Sequence, residues 1–271
     1  MGSGITQVCA SAGYPTVVRE VDDGLLEQGL TRIRQFLDGS VARGKLTQDS
    51  RRLTLSNITG TTSFEAFHDC DLVIEAIVEN VQAKQFAYSA LERVVPAHTV
   101  LLSNTSSICI TELATATSRP ERFAGLHFFS PVPLMKLVEV IRALTTSDET
   151  YRTAFEFAAS IGKEAVSAPD RPGFIVNRLL VPYLLDAIRA HESGLGSVED
   201  IDKGMTLGCG HPIGPFALLD FIGLDTAYSV ASIMYEEFRE PQYAPPPLLK
   251  RMVLAGRLGR KSGRGFYSYS V

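Results

Sequence analysis

The sequence contains no tryptophan and only four cysteines among 271 residues. Cys9, Cys70, Cys109 and Cys209 form no Cys-x-x-Cys pair and have no histidine at ligand spacing, which argues against a zinc centre or a disulfide framework. We therefore expect reduced thiols, no bound metal and a cytoplasmic location.

The sequence has no excess of positive charge: it contains 26 Lys and Arg and 30 Asp and Glu, which gives a net charge of -4. No long basic run is present, so neither nucleic acid nor an anionic membrane is the expected partner. No apolar stretch approaches the ~18–20 residues of a membrane span, and the start lacks the pattern of a signal peptide. A chain of 271 residues suffices for one large or two modest globular domains that bind something small.

The pattern along the chain changes near 169–173, where Pro and Gly interrupt it. Residues 1–170 alternate short apolar strands with helical periods, which predicts an α/β domain with a mostly parallel sheet and a helical hairpin inserted at 24–55. Residues 171–271 show helical periods alone and are predicted to be all-helical. The predicted helices of this second part lie near 174–193, 198–207, 215–222, 224–238 and 246–256.

The start of the α/β part carries two features of a dinucleotide site. Gly2 and Gly4 lie at the beginning of the first predicted helix, and Glu20 lies at the end of the strand that follows. Helix amides bind a pyrophosphate and such a carboxylate binds ribose hydroxyls, so these positions are candidates for cofactor contacts. The strand and the earlier glycines that complete this pattern are absent from the sequence. A flexible terminus with a solvated Glu20 is the alternative interpretation.

Further along, the run 71–78 is nearly continuous in apolar residues and is predicted to be one strand buried on both faces. The segment 104–107, Asn-Thr-Ser-Ser, follows the next buried strand and is predicted to open a helix. Because ligands bind at the carboxyl edge of a parallel sheet, this segment is also a candidate ligand-facing loop. A plain helix cap by Ser106 or Ser107 is the alternative.

The strongest chemical signal is Glu139, which lies in the middle of the apolar strand 137–141. A carboxylate there is costly unless a partner meets it, and His127 at the end of the preceding strand is the natural partner. A carboxylate bound to one imidazole nitrogen fixes the tautomer and makes the other nitrogen a general base. A structural histidine, with Glu139 facing outward on an edge strand, is the alternative.

Two polar residues extend this candidate site. Asn177 falls in an otherwise apolar helix start just past the break, where its amide needs partners and is a candidate donor to a substrate oxygen at a domain cleft. Helix packing between domains is the other explanation for it. Ser106 as the nucleophile of a Ser-His-Glu hydrolase is a competing interpretation, which ranks low because no Gly-x-Ser-x-Gly elbow surrounds it.

The chain as a whole closely resembles the L-3-hydroxyacyl-CoA dehydrogenase family, in particular its short bacterial members. The motifs that carry the resemblance are 71–80, 103–107, 125–131, 136–140, 172–178, 210–215 and 263–267. The resemblance implies a Rossmann-like, doubly wound NAD-binding domain at 1–170 and a helical domain for substrate binding and dimerisation at 171–271. It implies oxidation of an L-3-hydroxyacyl-CoA to the 3-ketoacyl-CoA with NAD, or the reverse, by a homodimer.

The resemblance also implies roles for individual residues. His127 matches the general base that acts on the 3-hydroxyl, and Glu139 matches its orienting carboxylate. Ser106 and Asn177 match the groups that hold the substrate oxygens. The positions that match cofactor contacts are Gly2, Glu20, Glu79, Lys84, Asn104, Ser106, Ser130 and Lys261, and the candidates for binding the CoA phosphates are Arg43 and Lys45.

Two departures from the family pattern matter. Ser130 stands where many members carry Asn, but it keeps a hydroxyl to contact the nicotinamide end. The first strand and its Gly-rich turn, about 10 residues, are missing at the front, so we expect unpaired backbone groups on two neighbouring strands. A working dehydrogenase whose true start lies upstream is the first hypothesis. An N-terminally truncated, catalytically impaired acyl-CoA-binding or dimeric scaffold protein is the second.

Overall fold

The computed structural model describes residues 1–269 and divides into two compact units, Met1–Asp170 and a second that begins at Arg171. The helices of the first unit are α1 (Gly2–Ser11), α2 (Asp23–Ala42), α3 (Gln48–Ser56), α4 (Val81–Leu91), α5 (Ile110–Ala114) and α6 (Asp148–Ser160). Its strands are β1 (Thr16–Arg19), β2 (Ile58–Thr61), β3 (Leu72–Glu75), β4 (Val100–Ser103), β5 (Phe123–Phe128), β6 (Leu137–Arg142) and β7 (Glu164–Pro169).

The strands of the first unit form two sheets. β3 to β7 lie side by side in chain order, and every pairing is parallel except that of β5 with β6. β1 and β2 form a separate parallel pair. The predicted α/β class with a mostly parallel sheet is therefore confirmed.

Side-chain caps fix the start of most helices in this unit. Asp22, Thr47, Asn80 and Ser147 each accept a hydrogen bond from an amide in the first turn of α2, α3, α4 and α6, respectively. Each such cap typically contributes about 1 kcal/mol to helix stability. α2 and α3 occupy the segment for which the sequence predicts a helical hairpin.

The strand predicted at 71–78 is wrong in length, because β3 ends at Glu75. The Glu75 carboxylate accepts a hydrogen bond from the amide of Ile77 at 2.7 Å, which holds the chain in a turn just past the strand. Ile77 and Val78 are consequently exposed rather than buried. Apolar composition alone does not reveal this carboxylate-bound turn.

The helix predicted to open at 104–107 is also misplaced, because α5 begins at Ile110. Asp170 accepts hydrogen bonds from the first two amides of α5 and thereby fixes where the helix starts. Gly125 lets α5 approach β5, since a Cβ there would lie 2.9 Å from the Ile110 side chain. The predicted helix start is instead a loop at the carboxyl end of β4.

The second unit consists of α7 (Val176–Glu192), α8 (Val198–Cys209), α9 (Pro215–Ile222), α10 (Leu224–Phe238) and α11 (Pro247–Leu254), joined by short connections. Its core includes Leu185, Phe216 and Met234, which are fully buried. Asp220 ties the segment after α11 to this core, because its carboxylate accepts hydrogen bonds from the amides of Phe266 and Tyr267. The helical character predicted for this part is confirmed.

Among residues 1–269, no single helix has both the length and the apolar character needed to cross a membrane. α9 and α10 meet those criteria only when taken together, and the pair is bent by 94°. Over the same residues, no group of three or more His, Cys, Asp or Glu side chains is placed to hold a metal ion.

Candidate active site

A buried histidine–glutamate pair lies in the five-stranded sheet. β5 and β6 run antiparallel in a register that places His127 directly opposite Glu139. His127 Nδ1 donates a hydrogen bond to Glu139 Oε2 at 2.7 Å, and the two residues are 4% and 0% exposed. Glu139 does not face outward on an edge strand, because β6 lies between β5 and β7.

This pairing defines the chemistry of the imidazole. A carboxylate accepts hydrogen bonds, so the proton of the neutral ring sits on Nδ1 and the lone pair sits on Nε2. The Glu139 carboxylate, which would be costly to bury without a partner, stabilises the imidazolium that forms when Nε2 takes up a proton. An imidazole held in this tautomer is suited to general-base chemistry.

The loop after β4 lies next to β5, the strand that carries His127. Asn104 Oδ1 accepts a hydrogen bond from the amide of Phe128 at 2.8 Å, which fixes the start of the loop beside the residue that follows His127. Ser106 is half-buried, and its amide donates to Glu79 Oε1 at 2.9 Å. The structure thus brings four predicted site residues from three separate segments into one neighbourhood.

Glu79 and Lys84 form an ion pair within the first unit. The Lys84 ammonium is 1% exposed and lies 2.6 Å from Glu75 Oε1 and 3.3 Å from Glu79 Oε2. Burial acts to raise the pKa of Glu79, but the Lys84 charge and hydrogen bonds from the loop outweigh it and hold that pKa below its usual value. The Lys84 ammonium therefore neutralises the buried Glu75 carboxylate and pairs with the partly exposed Glu79 carboxylate.

A cleft of about 140 Å³ lies at the start of α1. Gly2 and Ser3 of α1, Glu20 after β1 and Ala76 after β3 line it, together with residues of α2. Amides at a helix start favour phosphate, and a carboxylate at a strand end binds ribose hydroxyls, so these residues fit part of a dinucleotide such as NAD. Gly2 and Glu20, both predicted as cofactor contacts, line the same cleft.

The remaining predicted residues of the first unit lie on its surface. Ser130 is exposed and precedes the cis peptide bond to Pro131. Arg43 forms the C-cap of α2, and Lys45 lies in the connection from α2 to α3. Both basic side chains are exposed, as groups that bind the phosphates of a large ligand would be.

Two predicted site residues belong to the second unit. Asn177 is the second residue of α7 and is half-buried. The Lys261 ammonium lies 2.6 Å from the Asp225 carboxylate and is about half exposed. Lys261 is thus already ion-paired within the helical unit.

Sequence reasoning missed several polar residues that organise this region. Glu75 is 5% exposed and accepts hydrogen bonds from Ser103 Oγ and Tyr88 as well as from Lys84. The signal that would have identified it is the one used for Glu139, a carboxylate in an apolar strand that needs a partner. Asp170 gives no comparable signal, because it lies among polar and turn-forming residues.

Comparison with known proteins gives consistent matches over both units. Residues 1–171 match the family described as 3-hydroxyacyl-CoA dehydrogenase, NAD binding domain, and residues 173–269 match the 3-hydroxyacyl-CoA dehydrogenase, C-terminal domain. The chain is similar to 3-hydroxybutyryl-CoA dehydrogenase from Mycobacterium tuberculosis, at 49% identity over 271 residues that cover 99% of this chain and 95% of the relative.

Solved structures show the same likeness. The crystal structure of FadB2 from M. tuberculosis superposes with a TM-score of 0.98 at 49% identity, covering 100% of this chain and 95% of that one. (S)-3-hydroxybutyryl-CoA dehydrogenase PaaH1 from Ralstonia eutropha gives a TM-score of 0.95 at 44% identity, with coverage of 100% and 96%.

Proposed function

The chain belongs to the 3-hydroxyacyl-CoA dehydrogenase family, and from that premise we propose that His127, oriented by Glu139, is the general base of the reaction. The protein is an NAD-dependent dehydrogenase that interconverts an L-3-hydroxyacyl-CoA and the 3-ketoacyl-CoA. The observation that carries the assignment is the buried 2.7 Å hydrogen bond between the two side chains.

The residues of the chain position the substrate and move its proton. In the oxidative direction His127 Nε2 takes the proton of the 3-hydroxyl, and in the reverse direction it returns that proton to the keto oxygen. Glu139 holds the ring and stabilises its charge. Ser106 and Asn177 donate hydrogen bonds to substrate oxygens. NAD, when bound, supplies the acceptor for the hydride that leaves C3.

Replacement of the base tests this assignment. We expect His127→Gln to lower kcat by about 10²- to 10⁴-fold, because glutamine takes up no proton, while the affinity for NADH changes little. Steady-state assays and NADH titration measure the two quantities. His68→Gln is the matched control, since that histidine is exposed. Undiminished turnover in His127→Gln would contradict the assignment.

The alternative of a catalytically impaired acyl-CoA-binding scaffold has less support. A binding scaffold has no need of a buried carboxylate matched to one imidazole nitrogen, which is costly to bury unless its geometry is maintained. NADH binding and turnover by the protein of 271 residues would exclude that alternative.

We also propose that Arg43 and Lys45 bind the phosphates of CoA. Both are exposed between α2 and α3, and guanidinium and ammonium groups are the usual partners of phosphate. Replacing both by alanine is expected to raise KM for acyl-CoA while kcat stays close to wild type. Arg152→Ala, an exposed change on α6, is the control. An unchanged KM would refute this role.

A homodimer formed through the helical unit is a further proposal. Large apolar side chains are exposed there, among them Leu179 on α7 at 72% and Leu207 on α8 at 76%. Such side chains are candidates for a subunit contact, because contiguous exposed apolar surface marks interaction sites. Light scattering should give twice the mass of one chain, and Leu179→Asp should shift the protein toward the monomer. A monomeric wild type would overturn the proposal.

We propose a reducing, cytoplasmic compartment for the protein. Its four cysteines are all free thiols in the described chain, and oxidising compartments favour disulfides. Cell fractionation tests this, and recovery in a secreted fraction would contradict it.

A further inference from the structure

One carboxylate oxygen, Glu79 Oε1, accepts several hydrogen bonds from the loop that carries Ser106. It accepts hydrogen bonds from Thr105 Oγ1 at 2.6 Å, from the amides of Ser106 and Ser107 at 2.9 and 3.2 Å, and from Ser107 Oγ at 3.1 Å. Hydrogen bonds to an ionised acceptor are roughly twice as strong as those between neutral groups. Four donors on one oxygen make this carboxylate the organising centre of the loop.

The hydrogen bonds to Glu79 distinguish the side chains of Thr105 and Ser107 from that of Ser106, which lies between them in sequence. Thr105 and Ser107 are fully buried, and their hydroxyls donate to Glu79. Ser106 contributes only its amide to the same oxygen, and the residue keeps part of its surface exposed. The Glu79 carboxylate thus binds the hydroxyls of Thr105 and Ser107 and leaves the Ser106 hydroxyl outside this group of hydrogen bonds.

Glu79 is itself anchored to the sheet through Lys84. The Lys84 ammonium lies 3.3 Å from Glu79 Oε2 and 2.6 Å from Oε1 of Glu75, the last residue of β3. Ser103, the last residue of β4, donates to the same Glu75 carboxylate at 2.8 Å. The loop is therefore connected to the ends of two neighbouring strands by charged contacts, which are buried at Glu75 and partly exposed at Glu79.

We propose that Glu79, anchored by Lys84, is a positioning residue that holds the Ser106 hydroxyl in place for the substrate oxygen. The proposal rests on the role of Ser106 given under the proposed function, and it is additional to the cofactor contact that family resemblance implies for Glu79. Displacement of a catalytic group by about 1 Å can cost 10²-fold in rate, so loss of the carboxylate should act mainly on kcat.

A double-mutant cycle between Glu79→Ala and Ser106→Ala tests the coupling. Each single change is expected to lower kcat, by about 10²-fold for Glu79→Ala. The double variant should be no slower than Ser106→Ala, because the carboxylate has nothing left to position. Glu79→Gln keeps an acceptor oxygen and should recover most of the turnover. In Glu79→Ala the loss should be larger in kcat than in KM for NAD.

Controls separate positioning from loss of fold. Glu156→Ala, an exposed change on α6, should leave kcat unchanged, and thermal unfolding shows that each variant is folded at the assay temperature. If Glu79→Ala does not fold, Glu79→Asp replaces it in the cycle, because its shorter side chain withdraws the acceptor while keeping the charge.

The outcomes distinguish this inference from the function on which it rests. Additive losses in the cycle, or a Glu79 variant that raises KM for NAD with kcat unchanged, overturn the positioning role and leave Ser106 in place. Full activity in Ser106→Ala overturns the role of Ser106 itself. Equal losses in Glu79→Gln and Glu79→Ala also contradict the proposal, because the acceptor oxygen would then be irrelevant.

Discussion

At the scale of single residues, the bond between His127 Nδ1 and Glu139 Oε2 decides which ring nitrogen carries the proton. A glutamine at position 139 can accept from the ring or donate to it, so both tautomers become accessible, and the imidazolium loses its counter-charge. We expect Glu139→Gln to lower kcat by about 10²- to 10⁴-fold with a smaller change in KM for acyl-CoA. Steady-state kinetics at saturating NAD measure both constants.

The matched control for this change is Glu164→Gln, which replaces an exposed glutamate on β7. Wild-type turnover in Glu139→Gln would show that the carboxylate does not set the tautomer. A loss confined to KM would show instead that it shapes substrate binding.

The Glu79 carboxylate also gives a prediction about pH. Its folded pKa lies below the ordinary value of 4.5, because the Lys84 charge and the loop donors outweigh the effect of burial. The stability that the charged form contributes is therefore complete above pH 4.5 and is lost as pH falls through the lower folded pKa. The difference in unfolding free energy between wild type and Glu79→Gln should shrink as pH is lowered from 7 toward 3.

Urea unfolding at a series of pH values provides that difference. Glu156→Gln, an exposed change, should show little difference from wild type at any pH. If the difference in unfolding free energy between wild type and Glu79→Gln increased on acidification, it would contradict the prediction.

At the scale of secondary-structure elements, α5 depends on a residue 60 positions away in sequence. Asp170 Oδ1 accepts from the amide of Ile110 at 2.7 Å, and Oδ2 accepts from the amide and the hydroxyl of Thr111 at 2.8 and 2.6 Å. Asp170→Ala leaves these donors without their charged acceptor and should lower the unfolding free energy by about 1–3 kcal/mol. Urea unfolding measures the change.

Asp69→Ala, at an exposed position, is the control for that loss, and it should change stability by less than about 0.5 kcal/mol. Asp170→Asn retains one acceptor oxygen and should fall between alanine and wild type. Equal stability of Asp170→Ala and Asp69→Ala would show that α5 starts at Ile110 without this cap.

The Glu139–His127 pair and the start of α5 show why one prediction from the sequence succeeded and another failed. Glu139 could be paired with His127 from the sequence, because an isolated acid in an apolar strand needs a partner and a histidine lies near the end of the preceding strand. The start of α5 could not be located, because its cap, Asp170, comes from a distant segment. The helices of the second unit follow from apolar periodicity, since their cores form between helices that carry that period themselves.

At the scale of the whole molecule, the two units contain thiols in very different surroundings. Burial raises the pKa of Cys9, in α1 of the first unit, to about 12, whereas Cys209, at the end of α8 in the second unit, is exposed. Burial also raises the pKa of Cys70 and Cys109, which are half-buried.

These differences predict an order of thiol reactivity in the folded protein. The thiolate is the reactive form, so at pH 8 a disulfide reagent should modify Cys209 first, Cys70 and Cys109 more slowly, and Cys9 only when the first unit unfolds. Labelling of Cys9 across a urea series therefore reports the opening of the α/β unit. Cys209→Ser should remove the fast phase, and peptide mass spectrometry assigns each site. Rapid labelling of Cys9 without denaturant would show that α1 opens independently of the sheet on which it packs.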